Sequence, residues 1–193
     1  MFALVEDGSI TKMLSGNRGI TLGSNQYPKA IFTLWTKDER EAIGIYEVVW
    51  DNSKKKDEKW YINTNVSYAF AGGKVTASYG DATAKAHADT LFTAQDESDG
   101  KGTEGEVKDE GLKTIKIREV KKEAANILAE TDWYILRKAD ANTAIPSAIT
   151  NHRAAVRTKC ASMETSITNA SNTAALETLY TYVNTADEGD PVV

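Results

Sequence analysis

The chain has 193 residues, room for one domain or two small ones. Asp and Glu total 28 against 23 Lys and Arg, a net charge of -5, which is unsuited to gripping nucleic acid by neutralising phosphates. A lone cysteine excludes an intramolecular disulfide framework, and no apolar run is long enough to span a bilayer, so neither nucleic acid nor membrane is an expected partner.

The start, Met1-Phe2-Ala3-Leu4-Val5-Glu6-Asp7, has no basic region and meets charge too early for a secretory signal. Synthesis in a reducing cytoplasm is therefore expected. Phe2–Val5 and Ile10–Leu14 read as strands flanking Asp7-Gly8, a dipeptide suited to a tight hairpin turn. Gly16, Gly19 and Gly23 mark a polar loop. Thr36-Lys37-Asp38-Glu39 fits a capping box, and predicts a short helix to about Ile43 that stops at Gly44. Ile45–Trp50 is a strand, Asp51–Lys59 a charged loop, and Trp60–Asn63, Ser67–Phe70 and Lys74–Tyr79 are short strands. Residues 1–80 are thus expected to form a small antiparallel β domain with one short helix. Trp50, Trp60, Tyr61, Tyr68 and Tyr79 suit either the core face of a thin sheet or an exposed contact patch, including one that stacks on a sugar.

Residues 81–111 are polar and acidic, and are expected to be a flexible linker, with a short helix over Lys85–Thr93. Asp96–Glu106 superficially resembles a calcium loop. Counted from Asp96, however, the sixth residue is Lys101 and the twelfth Val107, where an EF-hand needs glycine and glutamate.

Residues 112–183 read as helical, and 184–193 as a loose tail. Leu112, Ile115, Val120, Ala124, Ile127 and Leu128 form one apolar stripe. A second helix follows Pro146, with Ile149, Arg153, Val156, Cys160, Met163 and Ile167 on one seam and Arg153 as its polar member. A third follows Ser171, with Leu176, Leu179, Tyr180 and Val183 on one side. A helical hairpin or three-helix bundle accounts for these, so the fold class is α+β. The narrow second stripe favours an intermolecular role, and hence a homo-oligomer.

Candidate chemistry is sparse. Cys160 sits in the seam as a small apolar residue, and His87 and His152 lack metal-ligand spacing. Lys54-Lys55-Lys56 runs directly into Asp57-Glu58, as a solvated loop does. No phosphate-loop, dinucleotide or nucleophile-elbow pattern occurs. No catalytic, metal-binding or cofactor-binding residue is therefore expected. Trp133 either plugs the bundle beneath the interhelix loop or anchors a contact, and Arg153 and Arg157, four apart, are placed to pair with Asp132, Glu130 or a partner's carboxylate.

The stretch Leu128–Arg157 is the most distinctive. An apolar helix end meets Glu130-Thr131-Asp132-Trp133, a polar loop leads to Ile145-Pro146, and a helix carries Arg153-Ala154-Ala155-Val156-Arg157. This order resembles the C-terminal segment of tailed-bacteriophage tail-fibre assembly proteins and related small virion proteins. Ala3–Ile10 also looks like the first hairpin of short phage virion proteins. The resemblance implies a non-enzymatic structural or assembly protein of the tail, near fibre or baseplate, made in the host cytoplasm and carried in the virion. Its partners would be other tail or fibre proteins. The candidate interface is Trp133, Arg153, Val156, Arg157, Cys160, Met163 and Ile167. Two alternatives stay open: a fibre-assembly chaperone absent from the virion, and a carbohydrate- or host-surface-binding module.

Overall fold

The computed structural model describes residues 1–181, which fall into two compact units, 1–83 and 84–181. Val183 of the third helical stripe, and the tail expected at 184–193, lie outside the described residues.

The first unit begins with β1 (Phe2–Glu6) and β2 (Ser9–Leu14), joined at Asp7-Gly8. Both turn residues have positive φ, 49° and 74°, as a two-residue hairpin of this twist requires. A small hairpin follows, β3 (Ile20–Leu22) with β4 (Asn25–Tyr27). Then come α1 (Ile31–Leu34) and α2 (Lys37–Glu41). The expected capping box starts α2: the Glu39 N–H donates to Thr36 Oγ1, and the Thr36 N–H donates to Glu39 Oε2 at 2.8 Å. Those bonds hold the Glu39 carboxyl below its ordinary range. There are thus two short helices here rather than one. Pro28 launches α1, its carbonyl accepting from the Ile31 N–H, and the turn buries Ile31 and Phe32.

β5 (Ile45–Asp51), β6 (Tyr61–Ile62), β7 (Ser67–Ala71), β8 (Lys74–Ser78) and β9 (Thr83–Ala84) complete the strands of this region, with β6 and β9 forming a two-stranded pair. The main sheet has the order β2-β1-β5-β8-β7. It is mixed, not antiparallel as expected, because β5 and β8 run parallel from Val48↔Val75 to Asp51↔Ser78. Burial explains the order. Val75 and Ala77 on β8 are fully buried, whereas β7 is mostly exposed, so β7 takes the edge and β8 the interior. β1 is buried on both faces. Phe2 and Leu4 pack with Leu14, Ile31, Phe32 and Ile45 on one side, and Ala3 and Val5 with Val48, Val75 and Ala77 on the other.

The second unit corrects the expected linker. Residues 90–109 hold β10 (Thr90–Leu91), α3 (Ala94–Ser98) and β11 (Val107–Asp109), and 85–93 is not helical. Polar contacts run through the segment, and the half-buried Phe92 ring lies against Gly102. Thr93 and Asp96 form a second capping box, and Asp96 also meets Lys108 at 3.1 Å. The segment Lys85–Asp89 is a strap. Ala86 and His87 carbonyls accept from the Leu112 and Lys113 N–H groups. The Asp89 carboxylate accepts from the Gly111 N–H at 2.7 Å and Thr114 Oγ1 at 2.8 Å. At the other end, Thr173 Oγ1 donates to the Lys85 carbonyl at 3.0 Å and His87 Nε2 lies 2.9 Å from the Ala170 carbonyl. Gly111 is required because a Cβ there would fall on the Ala88 backbone.

Four helices follow, α4 (Leu112–Ala129), α5 (Asp132–Ala141), α6 (Ser147–Asn169) and α7 (Thr173–Leu179), where three were expected. The additional one is α5, which occupies most of the supposed polar loop. α4 breaks at Thr131, whose φ of -114° and ψ of 6° leave the helical region, and the chain re-enters a helix at Asp132. Asn142, at φ 53°, ends it in the left-handed conformation. α4 and α6 pack side by side, joined at the surface by Lys121 and Glu164 at 3.0 Å.

Candidate interaction surface

Arg153 organises the helical unit. It is buried on α6 and reaches the break between α4 and α5. Its Nη1 donates to the Leu128 carbonyl at 2.7 Å and to Thr131 Oγ1 at 2.6 Å, and its Nη2 donates to Asp132 Oδ1 at 2.8 Å. The Leu128 carbonyl lies in the last turn of α4, where it also accepts from the Thr131 N–H at 3.1 Å and where a cation is favoured by the dipole. Asp132 lies in the first turn of α5, where an anion is favoured. One guanidinium therefore serves both helix ends. This is the physical content of the Thr131-Asp132 … Arg153 spacing.

With α5 so held, its outer face is exposed. Trp133 is 49% exposed and Leu136 69%. The Trp133 and Tyr134 rings lie 3.8 Å apart, and the Arg137 guanidinium sits 4.7 Å from the Trp133 centroid and 5.3 Å from that of Tyr134. The cation is thus placed where the ring quadrupoles attract it.

The predicted interface residues separate in space. Val156 and Ile167 are buried, and Cys160 and Met163 half-buried, on the face of α6 that meets α4. Within the chain the seam faces the apolar stripe of α4. Cys160, Met163 and Val156, with Val120, Ala124, Ile127 and Tyr180, line a groove of about 190 Å³. Burial pushes the Tyr180 hydroxyl up to about 12, with Glu119 and Glu123 adding to the shift. The Cys160 thiol is raised by burial and by its 3.4 Å contact with Glu164, the opposite of an activated nucleophile. Arg157 is exposed and does not join Arg153 at Asp132.

Of the expected set, then, Trp133 alone combines exposure with a place beside the Arg153 clamp. The structure adds Tyr134, Leu136 and Arg137, which lie in α5 where the sequence predicts a loop. The signal was present as Trp133 and Leu136 three apart, and Trp133 and Arg137 four apart, the helical neighbour spacings.

In the first unit, Trp60 and Tyr61 are buried, whereas Trp50 is partly exposed and stacks tilted on Tyr79 with centroids 5.2 Å apart. Among the described residues, no three His, Cys, Asp or Glu side chains gather as a metal site requires, and no helix is long and apolar enough to cross a membrane. Neither a protein-family model, nor a curated protein, nor a solved structure matches this chain.

Proposed function

We propose that the protein is a non-enzymatic structural or assembly component of a bacteriophage tail, acting through protein contacts made by its helical unit. The observation that carries this reading is the Arg153 clamp, which fixes α5 with Trp133 and Leu136 outward. Aromatic and arginine side chains on a rigid support are the usual anchors of protein interfaces. The clamp residues Thr131, Asp132 and Arg153, which meet at one point, lie within the segment that carries the phage-like resemblance.

Quantitative mass spectrometry of purified virions tests the reading. A fixed, symmetric copy number relative to the major tail protein is the expected result. Absence from virions, with co-purification on nascent fibre protein, would make it an assembly chaperone. Absence from both would remove the proposal. A second reading, a carbohydrate-binding sheet, has the exposed Trp50 beside Tyr79 in its favour. It predicts that Trp50→Ala abolishes binding on a glycan array, and a wild-type array without hits removes it.

A further inference from the structure

We infer that the outer face of α5 is a docking site for a carboxylate-bearing segment of a partner protein, with Arg137 as the anion anchor and Trp133 and Leu136 as the apolar floor. The inference rests on the reading of the protein as an assembly component and names the chemistry of its partner.

Three observations converge on it. First, the Arg137 cation is fixed over two rings, and its buried Nε has no hydrogen-bond acceptor. Among the described residues it makes no ion pair. The buried Nε is out of reach of an outside group, but the guanidinium still lacks a counter-charge, and a carboxylate supplies one to its terminal nitrogens. Second, the acids of α5 do not serve it: Asp132 belongs to Arg153, and Asp140, one turn along, forms no ion pair with it among the described residues. The site therefore takes its carboxylate from outside this helix start. Third, Trp133 and Leu136 are the large exposed apolar side chains flanking the cation. A free anion would leave them in water, whereas a protein segment bearing an apolar side chain beside its acid covers them. A ten-residue helix presents much less than the ~800 Å² per partner that a stable standard interface buries, so a short segment fits it better than a second copy does.

The full chain can be titrated with three synthetic amphipathic peptides that share a leucine stripe. One carries glutamate one turn from a leucine, the second glutamine there, the third lysine. The expected order is glutamate, then glutamine, then lysine, with about tenfold between the first two. Arg137→Gln should remove the difference, and Arg137→Glu should invert it in favour of the lysine peptide. Leu136→Ser, at an exposed position, should weaken all three without lowering the melting temperature, so a folding defect cannot imitate the result. Equal affinity of the wild type for all three peptides overturns the proposal. So does sedimentation showing a wild-type dimer that Leu136→Ser dissolves, which would make the occupant a second copy. Virion mass spectrometry reads the assembly role independently: the protein can prove to be a tail component while this peptide test fails.

Discussion

The two units keep their shape by different means. In the first, β1 is buried on both faces, and Ala3, Ile31, Ile45, Val75 and Ala77 are wholly removed from water. In the second, the long helices bury little: Leu112 on α4, and Arg153, Val156 and Ile167 on α6. There, side-chain hydrogen bonds to helix ends do what apolar burial does in the sheet. Arg153 binds the α4–α5 break, and Asp89 caps α4. Apolar packing tolerates loose geometry, whereas directed hydrogen bonds fix it. A surface that must present Trp133 in one orientation gains from the second kind of support.

The contrast is broken most forcefully at Ile45. Its side chain is fully buried between the helices and β1, so Ile45→Ala should cost about 4 kcal/mol through lost transfer energy and the residual cavity. Hydrogen exchange should show the loss across β1, β2 and β5. A cost near zero would mean that the sheet's interior is not what supports it.

Arg153→Met is the matching change in the helical unit. It retains the apolar stem and removes the clamp: the Thr131 hydroxyl and Asp132 lose the guanidinium that donates to them, while the Leu128 carbonyl keeps the Thr131 N–H at 3.1 Å. Because Asp132 is largely exposed, the ion pair itself contributes little, and the expected cost is about 2 kcal/mol, mainly from the lost hydrogen bonds of a charged donor. Exchange protection should fall first in α5, and the Trp133 environment should change before α6 opens. Uniform loss along α6 instead would make Arg153 a packing residue and not a clamp.

The parts legible in the sequence were those whose causes are local. Asp7-Gly8, the Thr36–Glu39 box and the α6 stripe each depend on a few neighbouring residues, and each is found where expected. The parallel β5–β8 pair depends on which of two late strands can be buried, a competition between β7 and β8 that no local pattern expresses. α5 was hidden by Thr131, whose break made the polar run after it look like a loop. The same break turns the Trp133 ring to the outside of α5. Arg153 was placed on the correct stripe with Asp132 among its partners, but its bonds to Leu128 and Thr131 need the third dimension.

The smallest effect concerns the segment expected to be a linker, and it tests whether polar contacts alone order it. Asp96 accepts from the Thr93 N–H at 3.1 Å and the Thr93 hydroxyl at 3.0 Å, and binds Lys108 at 3.1 Å. The Thr93 backbone bond is the main cause, followed by the Lys108 contact, that brings its carboxyl down from 3.8 to about 2. A carboxyl depressed in the folded state stabilises that state above its unfolded value and ceases to do so as pH falls through the folded one. Fraying of α3 and the β10–β11 pair should therefore set in below about pH 4 and be complete near pH 2. Asp96→Asn should leave α3 weaker at neutral pH and remove the part of the acid response due to this carboxyl. The first unit should not follow this substitution, since its two core clusters contain no carboxyl group. An unchanged acid response of α3 in the variant would place the order of this segment in its backbone hydrogen bonds, chiefly the Phe92 N–H to the Glu106 carbonyl, and not in its charges.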